Sequence, residues 1–232
     1  MTRWEGSYCG PAPTPADLLT SWNFDPFALI LLVGLGFWAG RNRAGYAAIA
    51  VLAVAFLSPL CALSSALFSA RVLHHVLLLA VAAPLLALAR PTSAAISAGL
   101  PFVAATLVLW VWHLPVAYDA ALGHMVLYWL MQATLFATAV WFWRAVFSQP
   151  AGSGVLWILF AYMSMGFLGA LLSLAPTAFY AAHTLAPLVW GFTPLADQQL
   201  GGLIMWMPAG LPFAAWGTLL ALRAWRMTEA AT

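Results

Sequence analysis

The sequence predicts an all-α membrane protein: a bundle of seven transmembrane helices, N-terminus outside and C-terminus inside. Composition, unbroken apolar runs and the placement of arginine carry that expectation. Of 232 residues, 65% belong to the set AVILMFWYC and only 6% are Asp, Glu, Lys or Arg, against roughly 25% charged in a soluble domain. Eight Arg, no Lys and six acids cannot coat a water-soluble globule of this size. That excludes an ordinary soluble enzyme, and the hydrophobicity excludes intrinsic disorder. The formal charge of +2 comes from scattered groups, with no basic cluster for nucleic acid.

A bilayer core about 30 Å thick takes roughly 20 apolar residues per helix. Seven such runs lie between Arg, Pro, Asp or Gly-rich breaks, at 26–40, 44–63, 72–89, 94–114, 125–146, 154–175 and 199–225. The first is the shortest, and it carries Gly36 and Gly40 in a GxxxG close-packing pattern. The runs are continuous rather than alternating, which excludes a β-barrel. Segments 64–70, 115–123 and 176–198 read as connectors, the last long enough for a short interfacial helix. Residues 1–24 hold Arg3, Glu5, Asp17 and three prolines but no apolar core. They read as a periplasmic tail rather than a cleaved signal peptide, so the first span acts as an uncleaved anchor. Residues 25–226 then form the membrane domain and 227–232 a cytoplasmic tail.

Orientation follows the arginines, because cytoplasmic span ends retain positive charge. Arg41, Arg43, Arg90, Arg144, Arg223 and Arg226 follow odd-numbered spans and share one side; Arg3 and Arg71 fall on the other. In that topology all five His, both Cys and every acid except Glu229 collect at the outer face. Arg71, His74 and His75 form one patch at the head of span 3. His124, Tyr128 and Gln132 make a polar stripe along span 5, and Asp197, Gly201 and Met205 share a face of span 7. Gly201 leaves room there for a backbone or an ion, while Pro208 and Pro212 bend the helix and free carbonyls.

Imidazole, thiolate and thioether with a carboxylate favour copper, especially Cu(I), over hard cations. The candidate ligands are Cys9, Cys61, His74, His75, His113, His124, Asp197 and Met205. Each has a plainer reading. His74 and His75 can be interfacial rings satisfied by water, and His113 beside Trp112 part of an aromatic belt. His124 can cap span 5, and His183 sits in a loop without partner or spacing. Asp197 can be the N-cap of span 7. Cys9 and Cys61 are a copper pair, a disulfide or two unrelated thiols. Met163, Met165, Met205 and Met207 read as gap-filling core more readily than as a copper path, and Trp110, Trp112, Trp141 and Trp143 as headgroup anchors. No Walker loop, GxSxG, HExxH or dinucleotide fingerprint is present, so no enzyme activity is expected.

Three segments carry a resemblance: SPLCALSSALFSARVLHHVLLLAVAAPLL (58–86), WHLPVAYDAAL (112–122) and PLADQQLGGLIMWMP (194–208). They resemble the polytopic CtaG family of cytochrome c oxidase assembly proteins, and the tail YCGPAPTPADLLTSWNFDP (8–26) is similar to the start of shorter members. The resemblance covers nearly the whole chain. It implies a multi-pass protein of the bacterial inner membrane that helps copper reach a haem–copper oxidase, and it singles out His75, His113, Asp197 and Gln198. Many relatives carry His-Met where this chain has Arg71 and Val72, so a site using that His is absent here, with His74 as a substitute. The implied partners are membrane lipid, an oxidase subunit and a periplasmic copper donor. Two rival functions stay open: a haem-binding membrane protein, non-covalent because no CxxCH is present, and a metal-free scaffold docking an oxidase subunit. A transporter fits less well, since internal repeats and mid-membrane charges are missing.

Overall fold

The structure, a computed structural model, describes residues 8–92 and 94–229. The outermost parts of both expected tails, residues 1–7 and 230–232, lie outside the described residues. Among the described residues every regular element is helical. Helix α1 (Pro26–Ala39) opens on a local signal: the Asp25 carboxylate accepts the amides of Phe27 and Ala28 at 2.9 and 3.1 Å, with Pro26 at the first helical position. Asn42 caps α2 (Arg43–Leu57) through the Gly45 amide. Ser58 and Pro59 then start α3 (Pro59–Ala66), and the missing amide of Pro59 interrupts the helical ladder, bending α2 against α3 by 49°.

Leu67 is extended (φ −118°, ψ 132°), and α4 (Phe68–Val76) starts directly after it. The helix widens into a π-helical segment, Leu77–Ala82, before continuing as α5 (Ala83–Ala89). Two carbonyls in the widened turn are claimed by indoles, Trp143 Nε1 donating to Leu79 O at 2.8 Å and Trp216 Nε1 to Ala80 O at 2.9 Å. The expectation that Trp143 anchors at the headgroups is therefore corrected: it is 1% exposed and braces the bundle interior.

Helix α6 (Gly99–Trp112) turns by 75° at His113–Leu114 into α7 (Pro115–Gly123), so the expected connector 115–123 is itself a helix. Helices α8 (Met125–Ser148) and α9 (Ala151–Ser173) are long and unbroken. A connector with a 3₁₀ turn at Ala181–His183 and the short α10 (Ala186–Val189) leads to α11 (Pro194–Trp206) and α12 (Gly210–Glu229). Among the carbonyls at the expected Pro208 break, that of Trp206 is taken by the Tyr162 hydroxyl at 2.6 Å.

Among the described residues four stretches are long and apolar enough to cross a membrane: Phe68–Ala89, Met125–Ser148, Ala151–Ser173 and Pro194–Glu229. The bent pairs α2–α3 and α6–α7 add two more if each counts as one span. Helix α1 has 14 residues, which at 1.5 Å per residue rise about 21 Å, less than the roughly 30 Å apolar core. Phe68–Ala89 is the most enclosed of the four. Helix α11 packs tightly on α9, where a Cβ on Gly202 would sit 2.5 Å from the Gly169 carbonyl oxygen.

Candidate metal centre

The centre is set by how α4 is held. A helix starting abruptly after Leu67 leaves orphan amides, and α11 supplies their acceptor. Asp197 Oδ2 accepts Phe68 N at 2.6 Å, while Oδ1 accepts Ser69 N at 3.1 Å and the Ser69 hydroxyl at 2.5 Å. Both carboxylate oxygens thus cap α4, a structural role for Asp197 that the sequence does not announce. Asp197 does not cap its own helix, since Thr193 Oγ1 does that through the Ala196 amide. The space at Gly201 is filled by the Phe68 ring, which a Cβ would meet at 2.5 Å. Gln198 ties down the connector, accepting the Phe179 amide at 2.7 Å and donating to the carbonyls of Leu172 and Thr177 at 3.4 Å.

Held this way, α4 sinks its imidazoles into the bundle. His75 follows Phe68 by seven residues, about 10 Å along the axis, and His74 and His75 are 0% and 4% exposed. The expectation of a solvated interfacial pair is corrected, because both rings lie inside. Arg71 is also buried, its Nη1 donating to the Tyr128 hydroxyl at 3.4 Å with the guanidinium 5.3 Å above that ring.

The imidazoles form a row. Ring centroids are 5.7 Å apart for His74 and His75, and 6.1 Å apart for His75 and His113. His113 Nδ1 lies 2.7 Å from Leu109 O; a carbonyl only accepts, so Nδ1 carries the proton and Nε2 keeps its lone pair. Metal-binding histidines use this backbone-carbonyl arrangement to fix tautomer and ring direction. Both ring nitrogens of His75 are buried without a hydrogen-bond partner, and so are both of His74. The Ala55 carbonyl and the Gln132 amide stand beside His74 but outside hydrogen-bonding geometry.

A void of about 10 Å³ adjoins this row, lined by His75, His113, Met165 and Met205 together with apolar groups such as Leu79 and Ala80. It has the size of a single water or ion. Two imidazoles and two thioethers form a soft donor set suited to Cu(I). Among the described residues no three His, Cys, Asp or Glu side chains come together closely enough to hold a metal ion, so the thioethers are what would complete the set. Met165 is the partner the sequence concealed, one of four Met with no signal to separate it. Met163 and Met207, by contrast, are 59% and 71% exposed.

The remaining candidates lie elsewhere. Cys9 and Cys61 are joined as a disulfide, Cα atoms 5.2 Å apart, so in this state neither supplies a thiolate. The bridge ties the N-terminal tail to α3, with the Tyr128 hydroxyl 3.4 Å from Cys9 Sγ. His124 is exposed at the start of α8 and makes no side-chain cap, while Tyr128 and Gln132 of the same stripe turn inward. His183 is buried, its Nε2 2.8 Å from the Tyr118 hydroxyl and its Nδ1 3.2 Å from Ala66 O. Burial, seconded by the Arg71 charge, pushes its pKa down to about 4 despite the Ala66 hydrogen bond. Burial and the Asp25 carboxylate push the Tyr8 phenol well above its ordinary value.

A family model described as cytochrome c oxidase caa3 assembly factor matches residues 37–101 and 99–227, which take in α4, the row of imidazoles and the Asp197 cap. No curated protein sequence and no solved structure matches the chain. With the family model spanning nearly the whole helical bundle, this chain belongs to the family of cytochrome c oxidase caa3 assembly factors.

Proposed function

We propose that this assembly factor serves the oxidase by holding copper in transit, as Cu(I), between His75, His113, Met165 and Met205, and passing it to an oxidase subunit. The observation that carries this reading is the ion-sized void between those four side chains, with a His113 tautomer that leaves Nε2 free to ligate. Copper is cargo here, and the protein's contribution is to hold neutral imidazoles and thioethers in a dry setting. Soft ligands without a carboxylate bind Cu(I) with no added charge, which suits an ion that must leave again.

The arrangement of arginines supports seven spans, with α1 as a short first span and the N-terminus outside in a bacterial inner membrane. The disulfide at the expected outer end supports the same orientation, since such bonds persist in oxidising compartments. A periplasmic donor would then load the site. Haem is poorly served by the same imidazoles, because a void of about 10 Å³ is far below the several hundred Å³ of ordinary cofactor pockets.

Copper analysis of the purified protein under mild reductant tests the proposal. About one copper per chain is expected, with retention falling at least tenfold in His75→Ala and His113→Ala and severalfold in Met205→Leu. Folded variants that hold as much copper as the native chain, or a native chain that stays empty when offered Cu(I), would overturn it. An empty native chain that still captures an oxidase subunit would favour the metal-free scaffold.

A further inference from the structure

A second cavity, of about 250 Å³, is used by nothing described above. It separates α1 from α8, with α2 behind it. Its walls are Leu32, Leu52, Phe56, Leu78, Trp129 and Phe136. Among the described residues its lining has one side-chain amide, Gln132, which is 2% exposed. Both of its side-chain amide atoms are buried without a hydrogen-bond partner. An unsatisfied buried amide costs on the order of 1–3 kcal/mol, and a ligand reaching Gln132 would recover that cost.

The surroundings define the ligand. Phe56 and Trp129 are stacked, ring centroids 5.7 Å apart with planes 19° from parallel, so they present flat aromatic walls. Phe27 meets Trp129 edge-on at 4.7 Å, and Tyr8 meets it at 4.8 Å, so these contacts hold the indole in place. The way in is lateral, past the exposed side chains of Leu31, Ala133 and Ala137. These positions face lipid in a membrane bundle. Among the described residues no charged side chain lines the cavity, which disfavours a phosphate headgroup or a fatty-acid carboxylate, since buried charge requires a partner. A plain acyl chain would leave Gln132 unsatisfied.

We infer that the cavity between α1, α2 and α8 binds an isoprenoid quinone, its ring against Phe56 and Trp129, one ring oxygen on Gln132, and its tail leaving between α1 and α8. The match is chemical. A quinone ring is flat, uncharged and lipid-soluble, and its carbonyl accepts from Gln132 Nε2; in the quinol form its hydroxyl donates to Gln132 Oε1. The volume is near the lower limit of small-molecule pockets, as a headgroup site with an emerging tail requires.

The test uses the full chain in nanodiscs of quinone-free phospholipid, equilibrated with menaquinone-4 or ubiquinone-2 and washed. Bound quinone is then extracted and quantified beside copper. About one quinone per chain is expected, with retention falling about tenfold in Gln132→Leu and in Ala137→Trp, which plugs the mouth from the lipid side. Copper retention should be unchanged in both, since neither residue touches the void at His75. The inference is overturned if the native chain retains no more quinone than protein-free discs, or if both folded variants retain as much as the native chain. Co-extracted phospholipid displaced by Ala137→Trp, with no quinone bound, would assign the cavity to an acyl chain and equally overturn it.

Discussion

Asp197 on α11 accepts the Phe68 amide at 2.6 Å, so a carboxylate 129 residues downstream caps the helix that carries His74 and His75. Both oxygens are engaged, and the cap lies inside the bundle. Asp197→Ala removes the acceptor from two buried amides and a hydroxyl at once. An N-cap alone is worth about 1 kcal/mol and unsatisfied buried groups add to it, so a loss of about 2–4 kcal/mol is expected. Asp197→Asn, which keeps one carbonyl acceptor, should lose about half as much. Denaturant unfolding in detergent measures both, and an Ala variant as stable as the native chain would refute the cap's importance.

The same contact makes Gly201 intolerant. A methyl group there would meet the Phe68 ring at 2.5 Å and Val72 at 3.3 Å, on the face of α4 that Asp197 anchors. Overpacking typically costs 1–3 kcal/mol, so Gly201→Ala should destabilise by about 2 kcal/mol. Gly152, with nothing within 4 Å of an added Cβ, is the control and should change stability by less than about 0.5 kcal/mol. Equal effects at the two positions would argue against the close approach.

How much of this the sequence showed depends on the range of the interaction. Asp25–Pro26 is a local start signal and α1 begins there, whereas Ser58–Pro59 starts α3 inside what reads as one apolar run, 44–63. The apolar runs located the helices, but the bend at Ser58 divides one of them, and past the bend at His113–Leu114 the expected connector is a further helix, because proline position sets where a ladder breaks. Asp197 read as a polar residue at a helix start, yet nothing local names Phe68 as its partner. His75 and His113 are legible in the sequence as candidate imidazole ligands. Met165 is not, because which thioether faces a void is decided by how α9 packs on α11. Cys9 and Cys61 allowed three readings in sequence, and only the approach of the tail to α3 selects the disulfide.

That disulfide yields a prediction that separates structure from metal binding. It closes a sequence separation of 52 residues, which the chain-entropy model values at about 4 kcal/mol for a fully unfolded reference. The value falls when helices stay inserted, so the clearest readout is local. Cys9→Ser should free the tail for proteolysis near Pro11–Pro15, while Cys61→Ala leaves copper retention within about twofold of the native chain. A large copper loss in Cys61→Ala would return the cysteines to the ligand set.

His183 makes stability depend on pH. Its ring is held neutral between the Tyr118 hydroxyl and the Ala66 carbonyl, with a pKa lowered from 6.5 to about 4, chiefly by burial. Above pH 6.5 neither folded nor unfolded chain protonates this group, and its contribution is complete. Between pH 6.5 and 4 the unfolded chain takes up a proton that the folded chain refuses, so stability falls with falling pH. Below pH 4 both forms are protonated and the loss stops growing, at no more than about 3 kcal/mol. The other buried imidazoles titrate in the same experiment, so the quantity to compare is the native slope minus that of His183→Asn, which cannot titrate. The variant should be less stable at pH 7.5, because Tyr118 loses its acceptor, and its unfolding free energy should decline less steeply from pH 6.5 to 4. Parallel slopes would show that His183 is already protonated, or exposed, in the folded chain.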